Sequence, residues 1–163
     1  MLCETKLSSL PSSSNSAGLK SFWKLIWRLK VPNKVKVFTW RACSRALPTK
    51  VNLKKRKVID STVCDQCRCL NEDEVHAIWD CVQVREVWEH SCAVVRNKYL
   101  IVENMCDLVS IMKAKGKNME VFVMAAWLIW LRRNKLRTNE ATQRCSKIAL
   151  SDSSLLAEFQ QGK

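Results

Sequence analysis

Apolar residues recur every three or four positions through most of this chain, which is the spacing of helices that each bury one face. The pattern predicts a first helix from Ser21, a suitable N-cap, to the residues just before Pro32. A second helix is predicted over 33–45, although residues 35–38 taken alone could also form a strand. A threonine that follows a Leu-Pro break predicts a third, short helix over 50–57.

Helical spacing continues in the second half of the chain. After the last cysteine of the central cluster it is carried by five apolar residues: Val84, Val87, Trp88, Cys92 and Val95. A further helical piece is predicted over 108–112, and the longest helix over 119–137. The apolar face of the longest helix consists of Phe122, Val123, Ala126, Trp127, Trp130 and Leu131. Its last turn is basic, which suits the negative end of the helix dipole. With only three glycines and three prolines, too few for the turns of a β protein, we expect a small, mainly α domain.

Composition divides the chain into four segments. Residues 1–19 are polar and patternless, which is typical of a disordered leader. Residues 20–95 form the main predicted domain and 96–137 a helical extension. We expect 138–163 to be a flexible tail, because its apolar residues are too sparse to predict an element.

Nothing in the sequence predicts a membrane protein or a secreted one. The longest apolar run, residues 121–131, is eleven residues long and falls short of a bilayer span. The N-terminus lacks the apolar stretch of a signal peptide. We therefore expect an intracellular protein, nuclear or cytoplasmic.

Three cysteines and one histidine are spaced as a possible set of metal ligands. Cys64, Cys67, His76 and Cys81 follow the pattern C-x2-C-x8-H-x4-C. Four nitrogen and sulfur donors without an open position are typical of a structural Zn²⁺ site, and clustered cysteines in a reducing compartment favour metal over disulfides. The alternative is a chance pairing among nine cysteines, beside an ordinary buried histidine. Cys69 could compete as a ligand.

The formal net charge of +13 comes from one block of the chain. Residues 20–59 contain thirteen Lys or Arg and no acid, whereas the remaining basic residues are balanced by the acids. Such a block attracts polyanions, although a run of charge can also be a solvated face. The candidate phosphate contacts are Lys34, Lys36, Arg41, Lys50, Lys54, Lys55, Arg56 and Lys57. Exposed aromatic rings could stack on unpaired bases, but the spacing of Trp23, Trp27 and Trp40 favours a place in the core.

These residues together resemble the zinc-binding domain that follows the reverse transcriptase in plant LINE-type retrotransposons. The resemblance spans about residues 20–90. It is carried by Phe22-Trp23-Lys-Leu-Ile-Trp27, Val31-Pro32-Asn-Lys34-Val-Lys36-Val-Phe38-Thr-Trp40-Arg41, Leu47-Pro48-Thr49, Asn52-Leu53 with Arg56, Glu72-x3-His76, the cysteines and Arg85-Glu-Val-Trp88. Residues 119–139 resemble the W-x2-W-x3-N helix that links this domain to a ribonuclease H domain.

The resemblance implies that Cys64, Cys67, His76 and Cys81 form a CCHC zinc-knuckle-like loop and that the domain contacts nucleic acid. The chain departs from the family pattern at two positions: Arg68 stands where a glycine is usual after the second cysteine, and Val82 where a proline commonly follows the last. A polymerase Tyr-x-Asp-Asp signature is absent from the sequence.

Three functions compete at this point. The first is a non-catalytic zinc module that binds nucleic acid through the basic block, either RNA, which is favoured, or an RNA/DNA hybrid. The second is a helical zinc scaffold that binds protein through helix 119–137. The third, a zinc hydrolase with an acid such as Glu72 or Glu74 as base, is disfavoured because a fourth protein ligand leaves no open metal position. Glu72 is instead expected to accept a hydrogen bond, either from the backbone or from a group next to the metal ligands.

Overall fold

Seven α-helices make up most of the computed structural model, which describes residues 16–91 and 102–162. They are α1 Ser16–Arg28, α2 Asn33–Cys43, α3 Lys50–Lys55, α4 Arg85–Ser91, α5 Met105–Ala114, α6 Met119–Arg137 and α7 Cys145–Gln161. A π-helical turn, His76–Asp80, and a 3₁₀ turn, Val82–Val84, lie between α3 and α4. Within the described ranges no strand forms beyond one antiparallel bridge between Val63 and Asn71. The prediction of a mainly α fold is confirmed.

Four of the helices end in the same backbone arrangement, with a residue of positive φ just beyond the helix. The residues are Arg45, Lys57, Gly116 and Asn139, with φ of 53°, 58°, 65° and 55°. At each end two N–H groups turn back to carbonyls of the last turn, as in a Schellman motif. A chain this poor in glycine therefore ends three of the four helices with a residue that carries a side chain.

Helix α6 lies at the centre of the packing. It contacts α2, α4, α5, α7 and the π-helical turn. Trp88 of α4 packs between Trp79 and Phe122, with ring centroids 5.2 Å from each. Trp130 stacks on Phe38 at 6.4 Å. The aromatic residues thus join the first half of the chain, the π-helical turn and α6 in one core.

The prediction of a flexible tail over 138–163 is wrong, because residues 145–161 form α7. Among its described side chains, those of Cys145, Ile148, Asp152 and Leu156 are buried, spaced three or four apart. The stripe is a regular helical face, but an aspartate occupies one of its positions and breaks the apolar pattern. Apolar periodicity in the sequence therefore does not predict this helix.

Other boundaries shift by a few residues. Helix α1 begins at Ser16, inside the segment expected to be a disordered leader; residues 1–15 lie outside the described part of the chain. Cys92 and Val95, expected to continue α4, also lie outside it. Helices α2 and α3 each end two residues before their predicted limits, where the Schellman turns begin. The segment 35–38 is helical rather than extended. The division of the chain at 95 and 137 stays a prediction.

Two of the tryptophans expected in the core are not there. Trp27 is 47% exposed and Trp40 is 43% exposed, while Trp23 is half-buried. Ile26 of α1 and Leu29 just beyond its end are buried, whereas Trp27 between them leaves nearly half of its surface exposed. Helix α2 buries residues before and after Trp40, and the Trp40 side chain likewise remains partly exposed. The tryptophans do have helical spacing, but the buried face of each helix is formed mainly by the residues next to them.

Candidate metal centre

The four predicted ligands converge in the folded chain. The donor atoms of Cys64, Cys67, His76 and Cys81 all lie within 4.8 Å of one another. The Cys67 Sγ and the His76 Nε2 are 3.3 Å apart. In a tetrahedral site with zinc–sulfur bonds of about 2.3 Å, two sulfur donors lie about 3.8 Å apart. A small contraction would therefore close the cluster around one zinc ion, and three of the four side chains are already buried.

The first two donors are held by a short hairpin. The N–H of Cys64 donates to Leu70 O at 2.8 Å, and the N–H of Glu72 donates to Thr62 O at the same distance. Inside the hairpin the N–H of Arg68 donates to Cys64 O at 2.9 Å, and Arg68 has a φ of +56°. The left-handed bend that the usual glycine would supply is thus present, with an arginine making it.

The other two donors are brought together by the π-helical turn. In an α-helix, residues five apart point about 140° away from each other. Here the N–H of Cys81 donates to His76 O at 3.0 Å, a five-residue closure. The wider turn moves the two side chains back toward one side of the backbone, and the N–H of His76 is fixed by Asp73 Oδ1 at 2.7 Å. The unusual H-x4-C spacing therefore has a structural cause.

Burial and hydrogen bonding give the thiols different acidities. Burial raises the pKa of Cys81 to about 12 and also raises the pKa of Cys64. Burial acts on Cys67 in the same direction, but N–H groups of Cys69 and Leu70 together with His76 outweigh it, and its pKa is lowered to about 6. Among the three clustered thiols, Cys67 is therefore the most acidic. A bound zinc ion would displace the remaining protons, since zinc binds thiolates.

Cys69, the possible competing ligand, points elsewhere. Its side chain is exposed, and its Sγ donates to Cys67 O at 3.0 Å. It is not among the clustered donors. Cys43 and Cys106 lie where α2 meets α5, and the Cys106 Sγ donates to Cys43 O at 3.5 Å.

A buried ion pair that was not predicted from the sequence attaches α6 to the hairpin. Arg133 and Glu72 are 2% and 1% exposed, and the guanidinium donates to both carboxylate oxygens. Next to this pair, Arg132 Nη1 donates to Gln66 Oε1 at 2.7 Å. Arg133 belongs to the basic end of α6, where positive charge suits the helix dipole. The available signal was its position three residues after Trp130, on the apolar face.

The same carboxylate holds the start of the basic helix α3. The N–H of Lys50 donates to Glu72 Oε1 at 3.1 Å, as expected for an acid near the ligands that accepts a backbone hydrogen bond. Asn52 Nδ2 donates to Glu74 Oε1 at 2.6 Å, and burial raises the pKa of Glu74. Thr49 caps the helix as predicted, accepting the N–H of Asn52 at 3.3 Å. Helix α3 and the hairpin therefore form one connected unit.

The structure separates the eight candidate phosphate contacts into groups. Four are exposed together at the end of α3: Lys54, Lys55, Arg56 and Lys57. Lys36 and Arg41 lie on α2, where they donate to backbone carbonyls of Trp27 and Ala46 at 3.0 and 3.2 Å. Lys34 Nζ lies 4.7 Å from the centre of the Trp127 ring, and Lys50 forms an ion pair with Asp65. The set of eight contacts stays a prediction.

Comparison with known proteins agrees with the cluster. Residues 9–88 match the protein family described as zinc-binding in reverse transcriptase. A protein of Arabidopsis thaliana named "Putative ribonuclease H protein" is 30% identical over 70 residues, which are 43% of this chain and 11% of that protein. The chain thus spans about a tenth of the length of this relative. No solved structure matches the chain at a comparable level of significance.

No helix in the described ranges is long and apolar enough to cross a membrane. The family that matches residues 9–88 is one of zinc-binding domains and not of catalytic domains. Its defining metal agrees with the cysteine and histidine donors that converge here. Sequence match and geometry together support a zinc-binding module of retroelement origin at residues 9–88.

Proposed function

We propose that this chain is a non-catalytic module whose zinc ion holds the hairpin and the π-helical turn together, and which binds nucleic acid, RNA in preference, through its basic block. The observation that carries the proposal is the exposed cationic run at residues 54–57 on a helix attached to the zinc loop. None of these four side chains pairs with an acid within the described ranges. We also propose that a protein with this role acts in the nucleus or the cytoplasm.

The zinc loop would fix the direction of the basic run. Helix α3 is only six residues long and would not be stable in isolation. Glu72 and Glu74 hold its first turn from the zinc segment. We infer that the metal acts on nucleic acid indirectly, by giving the four cations a defined position.

The acids beside the cluster are engaged in ways that oppose hydrolytic chemistry. Glu72 is paired with Arg133, and Glu74 accepts from Asn52. A zinc hydrolase needs an open metal position and a free general base. Four protein donors occupy the tetrahedron, so we propose a structural role for the metal.

The eight predicted phosphate contacts differ in how freely their charges can reach a nucleic acid. Lys50 is largely buried and its charge is compensated by Asp65, while Lys34 lies over an indole ring. We therefore expect Lys54, Lys55, Arg56 and Lys57 to dominate the contacts with phosphates. Such contacts carry little sequence information, so we expect weak base preference.

The test measures RNA affinity as a function of salt for the zinc-loaded protein. Each lost phosphate contact should lower the slope of log affinity against log salt by about 0.7 for a single strand. We expect Lys54→Gln with Lys55→Gln to lower the slope by about 1.4 and to weaken binding. The matched control is Lys113→Gln with Lys115→Gln, which removes the same charge from exposed residues at the end of α5.

Equal losses in both double variants would contradict the proposal, because only the net charge would then matter. RNA affinity that does not change with salt would contradict it as well. Measured zinc content shows that each variant is folded around its metal.

A protein-binding role for helix 119–137 is the alternative proposal, together with its correspondence to a linker that precedes a ribonuclease H domain. Much of α6 packs against the core or against α7. An open cavity of about 740 Å³ remains between α6 and α7, lined in part by Leu128, Leu131 and Leu155. Protein binding that persists at high salt after nuclease treatment would favour this alternative.

A further inference from the structure

Three large apolar side chains lie exposed on α1 and α2, inside the basic block. Trp27 is 47% exposed, and Val37 and Trp40 are both 43% exposed. The fold covers about half of each side chain and leaves the rest of its apolar surface open to solvent. Their exposure therefore calls for an explanation outside the packing of this chain.

Lys36 links the two helix segments that carry these tryptophans. Its Nζ donates to the carbonyl oxygen of Trp27 at 3.0 Å, which brings the end of α1 against α2. Trp40 follows Lys36 by one helical turn, a spacing at which Cβ atoms are about 5–6 Å apart. We call the surface formed by Trp27, Lys36, Val37 and Trp40 the tryptophan platform.

Cations surround the platform. On α1, Trp27 and the half-buried Trp23 border a shallow cavity of about 460 Å³ that is otherwise lined by Lys20, Lys24 and Arg28. On α2, Arg41 is exposed next to Trp40. No acid occurs in the sequence between residues 20 and 59. From outside that block, Glu120 reaches the end of α1, where its Oε1 accepts the N–H of Lys30 at 3.4 Å.

We propose that the tryptophan platform stacks the unpaired bases of a single-stranded nucleic acid, while the surrounding cations contact its phosphates. The proposal rests on the proposed function and names the class of nucleic acid. Exposed indole rings between lysines and arginines match a strand that presents flat bases and a negative backbone. A protein partner fits less well, because lysine is depleted in protein–protein interfaces. A duplex keeps its bases stacked inside and offers only phosphates to this surface.

The test compares an unpaired oligouridylate with an RNA duplex of the same length, each binding to the zinc-loaded full chain. We expect Trp27→Ala and Trp40→Ala each to weaken binding of the single strand about tenfold, the scale of one lost base stack. Affinity for the duplex should change by less than about twofold, because phosphate contacts remain. Trp27→Phe should restore most of the lost affinity, since a phenyl ring also stacks.

Leu150→Ala is the matched control. Leu150 is 74% exposed on α7, outside the basic block, and its loss should leave both affinities unchanged. Thermal unfolding and zinc content identify any variant that fails to fold, and Trp27→Phe then supplies the comparison with the least disturbance.

Single-strand affinity that survives both alanine variants would overturn the proposal and leave the exposed rings to a protein partner. Equal losses for single strand and duplex would overturn it too. In either case salt-dependent binding through residues 54–57 could persist, so the proposed function fails separately, by the result of the Lys54 and Lys55 variants.

Discussion

Arg68 makes the bend after the second cysteine in a backbone conformation that suits glycine better. Its φ is +56°, and its N–H closes the turn on Cys64 O at 2.9 Å. A residue with a Cβ pays about 1 kcal/mol or more in this region, whereas glycine does not. The arginine side chain is exposed, so its removal forfeits little packing. The hairpin therefore stores a small strain at this one position.

We expect Arg68→Gly to raise the free energy of unfolding of the zinc-loaded protein by up to about 1 kcal/mol. Glycine also makes the unfolded chain more flexible, which offsets part of the gain. Urea unfolding followed by tryptophan fluorescence measures the difference. Arg68→Ala, which keeps a Cβ, should show no such gain. A gain as large in the alanine variant would mean that the arginine side chain, and not the bend, is the source.

The position of each sulfur distinguishes the metal ligands from Cys69, which lies outside the cluster. We expect Cys67→Ser to abolish tight zinc binding and to unfold the hairpin, because zinc in such sites contributes roughly 10–16 kcal/mol of apparent free energy. Cys69→Ser should keep one zinc ion per chain, since its Sγ points to a carbonyl oxygen outside the cluster. Metal analysis of the purified variants checks both. Loss of zinc from the Cys69 variant would contradict the ligand set.

At the scale of elements, the ion pair between Arg133 and Glu72 connects α6, the zinc hairpin and α3. Both side chains are almost completely buried. Removing one partner of such a pair leaves a charge without compensation in a medium that solvates it poorly. The pair thus makes the mutual position of three elements depend on two residues that are 61 positions apart.

We expect Arg133→Met to lower the free energy of unfolding by about 3–5 kcal/mol, the range for breaking a buried pair. Arg133→Met combined with Glu72→Gln should recover part of the loss, because no uncompensated charge remains. The control is Asp65→Asn, which breaks the pair between Lys50 and the more exposed Asp65 and should cost less than about 1 kcal/mol. Denaturant unfolding of the four proteins measures these differences. Similar losses for Arg133→Met and Asp65→Asn would contradict the assignment.

The elements differ in how far the sequence predicts them. Helices α2, α3 and α6 follow from their apolar spacing, and the four metal donors follow from theirs. Helix α7 does not, because Asp152 lies on its buried stripe and is fully buried in the fold. The role of Arg133 does not either, since a buried charge is recognised only when its partner in another element is known. For α1 the sequence predicts the helix, but it does not predict which face of the helix the neighbouring elements cover.

For the molecule as a whole, α7 decides whether the zinc loop and the helices behave as one unit. It packs against α4 and α6, and Cys145 Sγ at its start donates to Gln83 O at 2.9 Å. Gln83 belongs to the 3₁₀ turn directly after Cys81, the last metal donor. Helix α7 is thus joined to the metal centre through α6 on one side and through this turn on the other.

Because this core is continuous, we expect a single unfolding transition that both the metal and α7 shift. Leu156→Ala removes a buried side chain of α7 and should cost about 2–5 kcal/mol, whereas Leu155→Ala, at a more exposed position, should cost less than about 1 kcal/mol. Far-ultraviolet circular dichroism reports all helices, and tryptophan fluorescence reports the core around Trp88. In the zinc-loaded protein the two signals should keep a common midpoint, which Leu156→Ala lowers. Separate midpoints would mean that α7 melts from a zinc domain that is stable without it. In that case the contacts through α6 and Gln83 would add little to the stability of the metal centre.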